Sequence, residues 1–202
     1  KFLAGFFSVA IILALGFMGN MVQSNSIGAA FNNAFHVPKL AVGICVAVIA
    51  GIIFIGGIRR IASFTEKIVP IMALLYIIGC LVILAMHLPG VGTAFKDIFV
   101  GAFAPQAIAG GVLGVTVQKA MRFGVARGLF SNEAGMGSTP HAHATAEVKD
   151  PCDQGIIAMM GVFIDTFIIL TLTALVILST GVLGNGQTGS ELAQSAFNVG
   201  FG

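Results

Sequence analysis

Charged side chains are scarce in this chain of 202 residues, and their scarcity excludes a soluble domain. Only 9% of the residues are Asp, Glu, Lys or Arg, whereas hydrophobic residues make up 57%. A water-soluble domain carries about 25% charged residues, so much of the outer surface must face lipid. The net charge of +2 is too small and too dispersed for a nucleic-acid interface. We therefore expect a lipid bilayer, and no nucleic acid, as a partner.

The motifs of common enzymes are also missing. The sequence contains no P-loop, no nucleophile elbow and no HExxH helix, and its three cysteines lack CxxC spacing. A membrane metalloenzyme that uses His141, His143 and Glu133 is a rival hypothesis, but histidines two residues apart lie on different helix faces. We therefore predict a protein that is not an enzyme, with no cofactor and no assigned metal site.

Long apolar runs predict an all-α, polytopic membrane protein with a single transmembrane domain. Each run approaches the roughly 20 residues that a helix needs to cross a bilayer, and none shows the alternation of barrel strands. The pattern Ser63-x-x-Glu66 resembles a capping box and predicts a helix start there. A further segment is expected near Leu192. The predicted spans are residues 2–27, 40–58, 68–86, 98–117 and 155–178.

The distribution of Lys and Arg predicts the orientation of these spans. With Lys1 inside, eight of the ten basic residues fall on the cytoplasmic side, and only Lys39 and Lys96 fall outside. The chain begins without a methionine and ends at Gly202 without a polar tail, so we expect a piece of a longer polypeptide, truncated at both ends.

Two groups of residues inside the spans could form a substrate site. Asn20 and Gln23 belong to a polar cluster in the first span, where lipid offers amides no partner; they either face a polar cavity or bond neighbouring helices. The fourth span contains Gly110, Gly111, Val112 and Gly114. This pattern predicts either a broken helix whose free backbone groups bind a solute or a GxxxG packing face.

Charged residues predict a gate or a coupling site. Asp165 lies inside the fifth span, where a carboxylate is costly and is by default a functional hypothesis; a buried ion pair or hydrogen bond is the structural alternative. Arg127 and Glu133 could pair to close a cytoplasmic path, or they could simply belong to a solvated loop, where an ion pair contributes little.

The stretch Arg127-Gly-Leu-Phe-Ser-Asn-Glu-Ala-Gly-Met-Gly-Ser138 resembles the signature of the sodium:alanine symporter family. We call residues 127–138 the signature segment. Further blocks resemble the family in the same order, namely Gly19–Asn25, Gly56–Ile61 and Phe163–Thr166.

This resemblance implies a leucine-transporter-type fold, with two inverted repeats of five helices, of which this chain would supply about helices three to seven. It also implies a multi-pass cell-membrane protein that takes up alanine or glycine with sodium by alternating access. Gln23 and Gly110–Gly114 would then contact the substrate, and helices outside this chain would complete the sodium site. A passive channel or pore for small polar solutes is the alternative.

Overall fold

Helices make up all the regular secondary structure that the computed structural model describes. It describes residues 1–103 and 111–202, and for residues 102, 103 and 111–117 it describes the backbone alone. This result confirms the predicted all-α class. The helices are α1 (Phe2–Phe35), α2 (Lys39–Phe54), α3 (Gly57–Met86), α4 (Leu88–Phe103), α5 (Gly111–Ser131), α6 (Ser138–His143), α7 (Pro151–Ser179) and α8 (Ser190–Phe201), and a 3₁₀ turn covers Val182–Gly184.

Helices α1, α3 and α7 are long and apolar enough to cross a bilayer, with 34, 30 and 29 residues. In their most apolar stretches only 6%, 17% and 11% of the residues are buried within the chain. Helix α2 is apolar but shorter, with 16 residues. Apolar helices whose side chains point outward need lipid or further helices around them, which confirms a polytopic membrane protein. The leucine-transporter-type arrangement stays a prediction.

The helix boundaries differ from the sequence prediction in one clear place. Helix α3 begins at Gly57, so Ser63 and Glu66 lie inside it and the predicted helix start there is wrong. The break comes instead from Gly57, whose φ of +69° suits glycine. The predicted span 98–117 covers the end of α4, the start of α5 and residues 104–110, which lie outside the described residues. The membrane boundaries of all five spans stay predictions.

Two of the long helices contain π-helical stretches. Ile12–Gly19 adopts this wider winding within α1, and Ile164–Leu170 adopts it within α7. The Thr171 hydroxyl donates to the Thr166 carbonyl, five residues back, at 3.4 Å. Such widened turns are rare and occur frequently at functional sites. Here one directly precedes Asn20, and the other contains Asp165.

The first of two compact units comprises residues 1–86 and 180–202. Helices α1 and α2 form a hairpin, α3 packs on α2, and α8 packs against both α1 and α3. The side chain of Gln194 on α8 donates to the Ala30 carbonyl at 3.1 Å and accepts from Asn33 at 3.2 Å. Ile83 and Ala196 are fully buried where α3 meets α8.

The second unit comprises residues 87–179. Helix α4 packs against the last part of α7, and a Cβ added at Gly90 would lie 3.1 Å from the Ser179 carbonyl oxygen. Ala94, Leu175 and Val176 are buried in this unit. The absence of a side chain at position 90 therefore lets the two helices approach closely.

We expect Gly200→Ala to destabilise the first unit. The added Cβ would lie 2.7 Å from Cγ2 of the buried Ile83, and overpacking costs about 1–3 kcal/mol. Thermal unfolding in detergent measures the change, and Ile83→Ala in the same chain should relieve part of the strain. Gly43→Ala is the control, because nothing lies within 4 Å of its added Cβ. Equal melting temperatures for both alanine variants would contradict this packing.

Helix α7 begins at a pH-sensitive cap. The Cys152 backbone N–H donates to Asp150 Oδ1 at 2.8 Å and lowers the pKa of Asp150 below its ordinary value. A carboxyl with a lowered folded-state pKa stabilises the fold above its unfolded pKa, and the contribution disappears as the pH falls through the folded value. We expect an NMR titration of Asp150 to show this lowered pKa. Asp150→Asn keeps the cap and should remove this pH dependence.

Candidate functional site

Polar side chains of α1 line an open groove against the start of α2. The groove has a volume of about 580 Å³, and its polar walls come from Asn20, Ser24, Asn25 and Lys39. The α1 residues recur at intervals of about four positions, which places them on one helix face. The structure therefore places Asn20 beside a cavity. Gln23 is exposed on the same helix but is not among the residues that line the groove.

Helix α5 ends in a Schellman motif that Glu133 closes. The Ala134 N–H donates to the Leu129 carbonyl at 3.0 Å, and the Glu133 N–H donates to the Phe130 carbonyl at 3.3 Å. Glu133 has a φ of 50°, in the left-handed region where this motif usually places glycine. A glutamate there carries a backbone penalty of about 1–2 kcal/mol, so its side chain must offset that cost.

The Glu133 carboxylate organises the rest of the signature segment. Its Oε2 atom accepts hydrogen bonds from the Ser138 hydroxyl at 2.6 Å and from the Thr139 hydroxyl at 2.7 Å. Both donors lie in the first turn of α6. Because charged acceptors form the stronger hydrogen bonds, these two contacts draw α6 back onto the end of α5.

Two further hydrogen bonds join the end of α5 to the π-helical stretch of α7. The Ser131 hydroxyl donates to Asp165 Oδ2 at 2.7 Å, and the Thr166 hydroxyl donates to Asn132 Oδ1 at 3.0 Å. Neighbouring residues on one element thus bond neighbouring residues on the other. Asp165 is half-buried, and Ser131 supplies a hydrogen bond to its carboxylate.

A cavity of about 370 Å³ lies between the signature segment and α7. The structure brings Glu133 and Asp165, which the sequence singled out separately, to this one cavity. The polar groups that line it offer both acceptors and donors to a solute or to water. They are Ser131, Asn132, Glu133, Thr139, His143 and Asp165, and the apolar wall comes from Ile157, Ala158, Gly161 and Val162.

Other predicted site residues lie elsewhere. Arg127 is exposed on α5, and within the described parts of the chain Glu133 bonds Ser138 and Thr139 rather than Arg127. The Arg127–Glu133 gate stays a prediction. Gly110 lies outside the described residues. The first turn of α5 contains Gly111, Val112 and Gly114, for which the structure describes the backbone alone.

The two histidines of α6 have separate roles. His141 Nδ1 donates to the Gly137 carbonyl at 2.9 Å, and His143 Nδ1 contacts the side-chain amide of Gln154. Across the described ranges 1–103 and 111–202, no three His, Cys, Asp or Glu side chains cluster as metal ligands do. The described residues therefore offer no support for the metalloenzyme hypothesis.

Sequence reasoning singled out neither Ser131 nor Asn132, which line this cavity. Both lie inside the signature segment, and Thr166, the hydrogen-bond partner of Asn132, follows Asp165 directly. Their positions beside the charged residues Glu133 and Asp165 were a usable signal, because a carboxylate in an apolar segment needs polar partners. No such signal indicated the hydrogen bond between Asn132 and Thr166, which are 34 residues apart in the sequence.

Long apolar helices define a multi-spanning membrane protein, and its described helices carry polar grooves. This class includes transporters and channels. A comparison with known proteins then identifies the group within it.

The model of the sodium:alanine symporter family matches residues 1–202, so the chain belongs to the sodium:alanine symporter family. It is a multi-pass protein of the plasma membrane.

The chain is similar to several bacterial proteins over nearly its whole length. It is 43% identical over 197 residues to an uncharacterized transporter of Haemophilus influenzae, covering 97% of this chain and 41% of that protein. It is 40% identical over 187 residues to a sodium/proton-dependent alanine carrier protein of Bacillus sp. (strain PS3), covering 92% and 41%. It is also 40% identical over 202 residues to a probable sodium/glutamine symporter of Bacillus subtilis, covering 98% and 41%. The chain thus spans about two fifths of the length of these relatives.

We expect the side chain of Glu133 to stabilise the signature segment despite its strained backbone. Glu133→Ala removes both hydroxyl contacts and keeps the strain, whereas Glu133→Gly removes the contacts and relieves the strain. The alanine variant should have the lowest free energy of unfolding. That of the glycine variant should be higher than the alanine variant's by about 1 kcal/mol. Thermal unfolding and amide exchange at residues 132–139 measure the order. An alanine variant as stable as the parent would contradict the role of the carboxylate.

Proposed function

We propose that this chain forms part of a secondary active transporter that couples sodium to the uptake of a small neutral amino acid, alanine or glycine, by alternating access. The observation that carries the proposal is the polar face of α1, where Asn20, Ser24 and Asn25 line an open groove in a long apolar helix. Lipid cannot satisfy such amides, so they need water, a solute or polar partners. Family membership favours a solute.

The substrate-contacting groups in this proposal are Gln23 and the backbone of Gly110–Gly114. Gln23 is exposed on α1 next to the groove-lining positions. In this proposal the backbone N–H groups of the first turn of α5, which begins at Gly111, bind the substrate carboxylate, as helix N-termini bind anions. Asn20, Arg127, Glu133 and Asp165 remain the candidates for gating or coupling.

The proposal also specifies the size of the substrate and the identity of the coupling ion. One relative is named for alanine and another for glutamine at the same 40% identity, so similarity does not choose between them. Glycines at the substrate site allow close helix approach, which favours a small amino acid. One relative is named for sodium or proton dependence and the other for sodium, and in our proposal sodium travels with the substrate.

Uptake by the full-length protein in proteoliposomes tests the proposal. We expect labelled alanine or glycine to accumulate under an inward sodium gradient and not when potassium replaces sodium, with labelled glutamine as the competing substrate. Counterflow separates a carrier from a pore, because unlabelled substrate on the far side accelerates a carrier only. Sodium-independent flux without acceleration would favour the passive pore instead.

We expect Gly111→Leu to abolish this uptake while membrane insertion is kept. A branched side chain at the first turn of α5 would obstruct access to the backbone N–H groups that the proposal assigns to the substrate. The matched control is Gly51→Leu on α2, where nothing lies within 4 Å of an added Cβ. If the Gly111→Leu variant takes up substrate at the parent rate, the assignment of the glycine backbone to the substrate site is wrong.

A further inference from the structure

Thr166 and Asn132 form a partly buried hydrogen bond between α7 and the end of α5. The Thr166 hydroxyl donates to Asn132 Oδ1 at 3.0 Å, and both residues are half-buried. Thr166 is thereby held from two sides, since its backbone carbonyl accepts from the Thr171 hydroxyl. Its side chain is β-branched and therefore has few rotamers in a helix. These contacts make Thr166 the rigid member of the pair.

The direction of this bond decides what Asn132 offers to its surroundings. An asparagine side chain has one carbonyl oxygen and one NH₂ group, and the Thr166 hydroxyl occupies the oxygen. The NH₂ group is then the end of the amide that is turned away from Thr166. Asn132 is also one of the residues that line the cavity of about 370 Å³ described above.

The neighbouring bond fixes the acceptor side of the same cavity. The Ser131 hydroxyl donates to Asp165 Oδ2, which leaves Oδ1 as the other acceptor of that carboxylate. The amide of Asn132, just after the end of α5, and the carboxylate of Asp165 on α7 thus line the same cavity. An amino-acid zwitterion carries the complementary pair of groups, a carboxylate and an ammonium.

We propose that Thr166 is a positioning residue of the transport pathway, which acts by orienting the Asn132 amide so that its NH₂ group donates to the carboxylate of the passing amino acid. This inference rests on the proposed transport function. The widened π-helical winding of Ile164–Leu170 explains how Thr166 and Asp165, although adjacent in sequence, both reach the end of α5. The substrate contact belongs to Asn132, and Thr166 acts through it.

Uptake kinetics of the full-length protein in proteoliposomes test this role. Thr166→Val keeps the shape and removes the hydroxyl, and the loss of one hydrogen bond corresponds to about a 2- to 10-fold change. We expect a rise of that size in the KM for the amino acid, with the maximal rate near the parent value. Thr166→Ser keeps a hydroxyl and should restore the parent KM. An unchanged KM for the valine variant overturns the proposal.

A double-mutant cycle asks whether Thr166 acts through Asn132. Asn132→Ala alone should raise the KM, and adding Thr166→Val to it should have no further effect, because contacting residues are non-additive. Additive effects would overturn the proposal. Thr173→Val is the matched control, since its hydroxyl donates to the Ile169 carbonyl of its own helix, and we expect it to leave the KM unchanged. Thr166→Ala replaces the valine variant if that variant does not fold.

Amide hydrogen exchange separates failure of this inference from failure of the proposed function. Thr166→Val should speed exchange at residues 132–134 by about 2- to 10-fold, whereas Thr173→Val should not. If the parent protein shows no sodium-driven uptake, the transport proposal fails, and exchange alone then decides whether Thr166 positions Asn132. Unchanged exchange overturns the positioning role whatever the uptake result.

Discussion

The absence of water inside a bilayer is the constraint on which the rest of this structure depends. Because lipid cannot bond backbone N–H and carbonyl groups, the spanning segments must bond their own backbone, and the helix does so within one segment. The same constraint applies to side chains. An amide or carboxylate in an apolar helix must find a partner in the protein, in water or in a solute. The groove on α1 and the cavity beside α7 are two places where such groups collect.

Local departures from regular helix mark these two places. The π-helical stretches Ile12–Gly19 and Ile164–Leu170 lie beside Asn20 and around Asp165, and Glu133 takes a left-handed backbone conformation at the end of α5. Each departure weakens local regularity, so each must be offset by contacts elsewhere. At Glu133 the contacts are visible as the two hydroxyls that its carboxylate accepts. Strain and polar contact therefore occur together in the signature segment.

Hydrogen bonds to a carboxylate join the signature segment to α6. The Glu133 carboxylate accepts from Ser138 and Thr139, and its pairing with Arg127 stays a prediction. Asp165 is likewise engaged by a hydroxyl, that of Ser131. Hydroxyl partners solvate a carboxylate without a second charge, which leaves the carboxylate available to a cationic group. In the transport function that we propose, this arrangement lets a cationic group bind and leave again.

The amino-acid sequence by itself determined the helical class, the apolar segments and the family, because hydropathy over 20 residues and a contiguous motif are local properties. Helix ends were less accessible, as α3 shows: the glycine turn at Gly57 outweighed the short capping pattern at Ser63 and Glu66. Only the tertiary structure decided that Ser131 and Asn132 meet Asp165 and Thr166, 34 residues away. Such contacts depend on how α7 winds and packs against the end of α5, and no local pattern of residues encodes that.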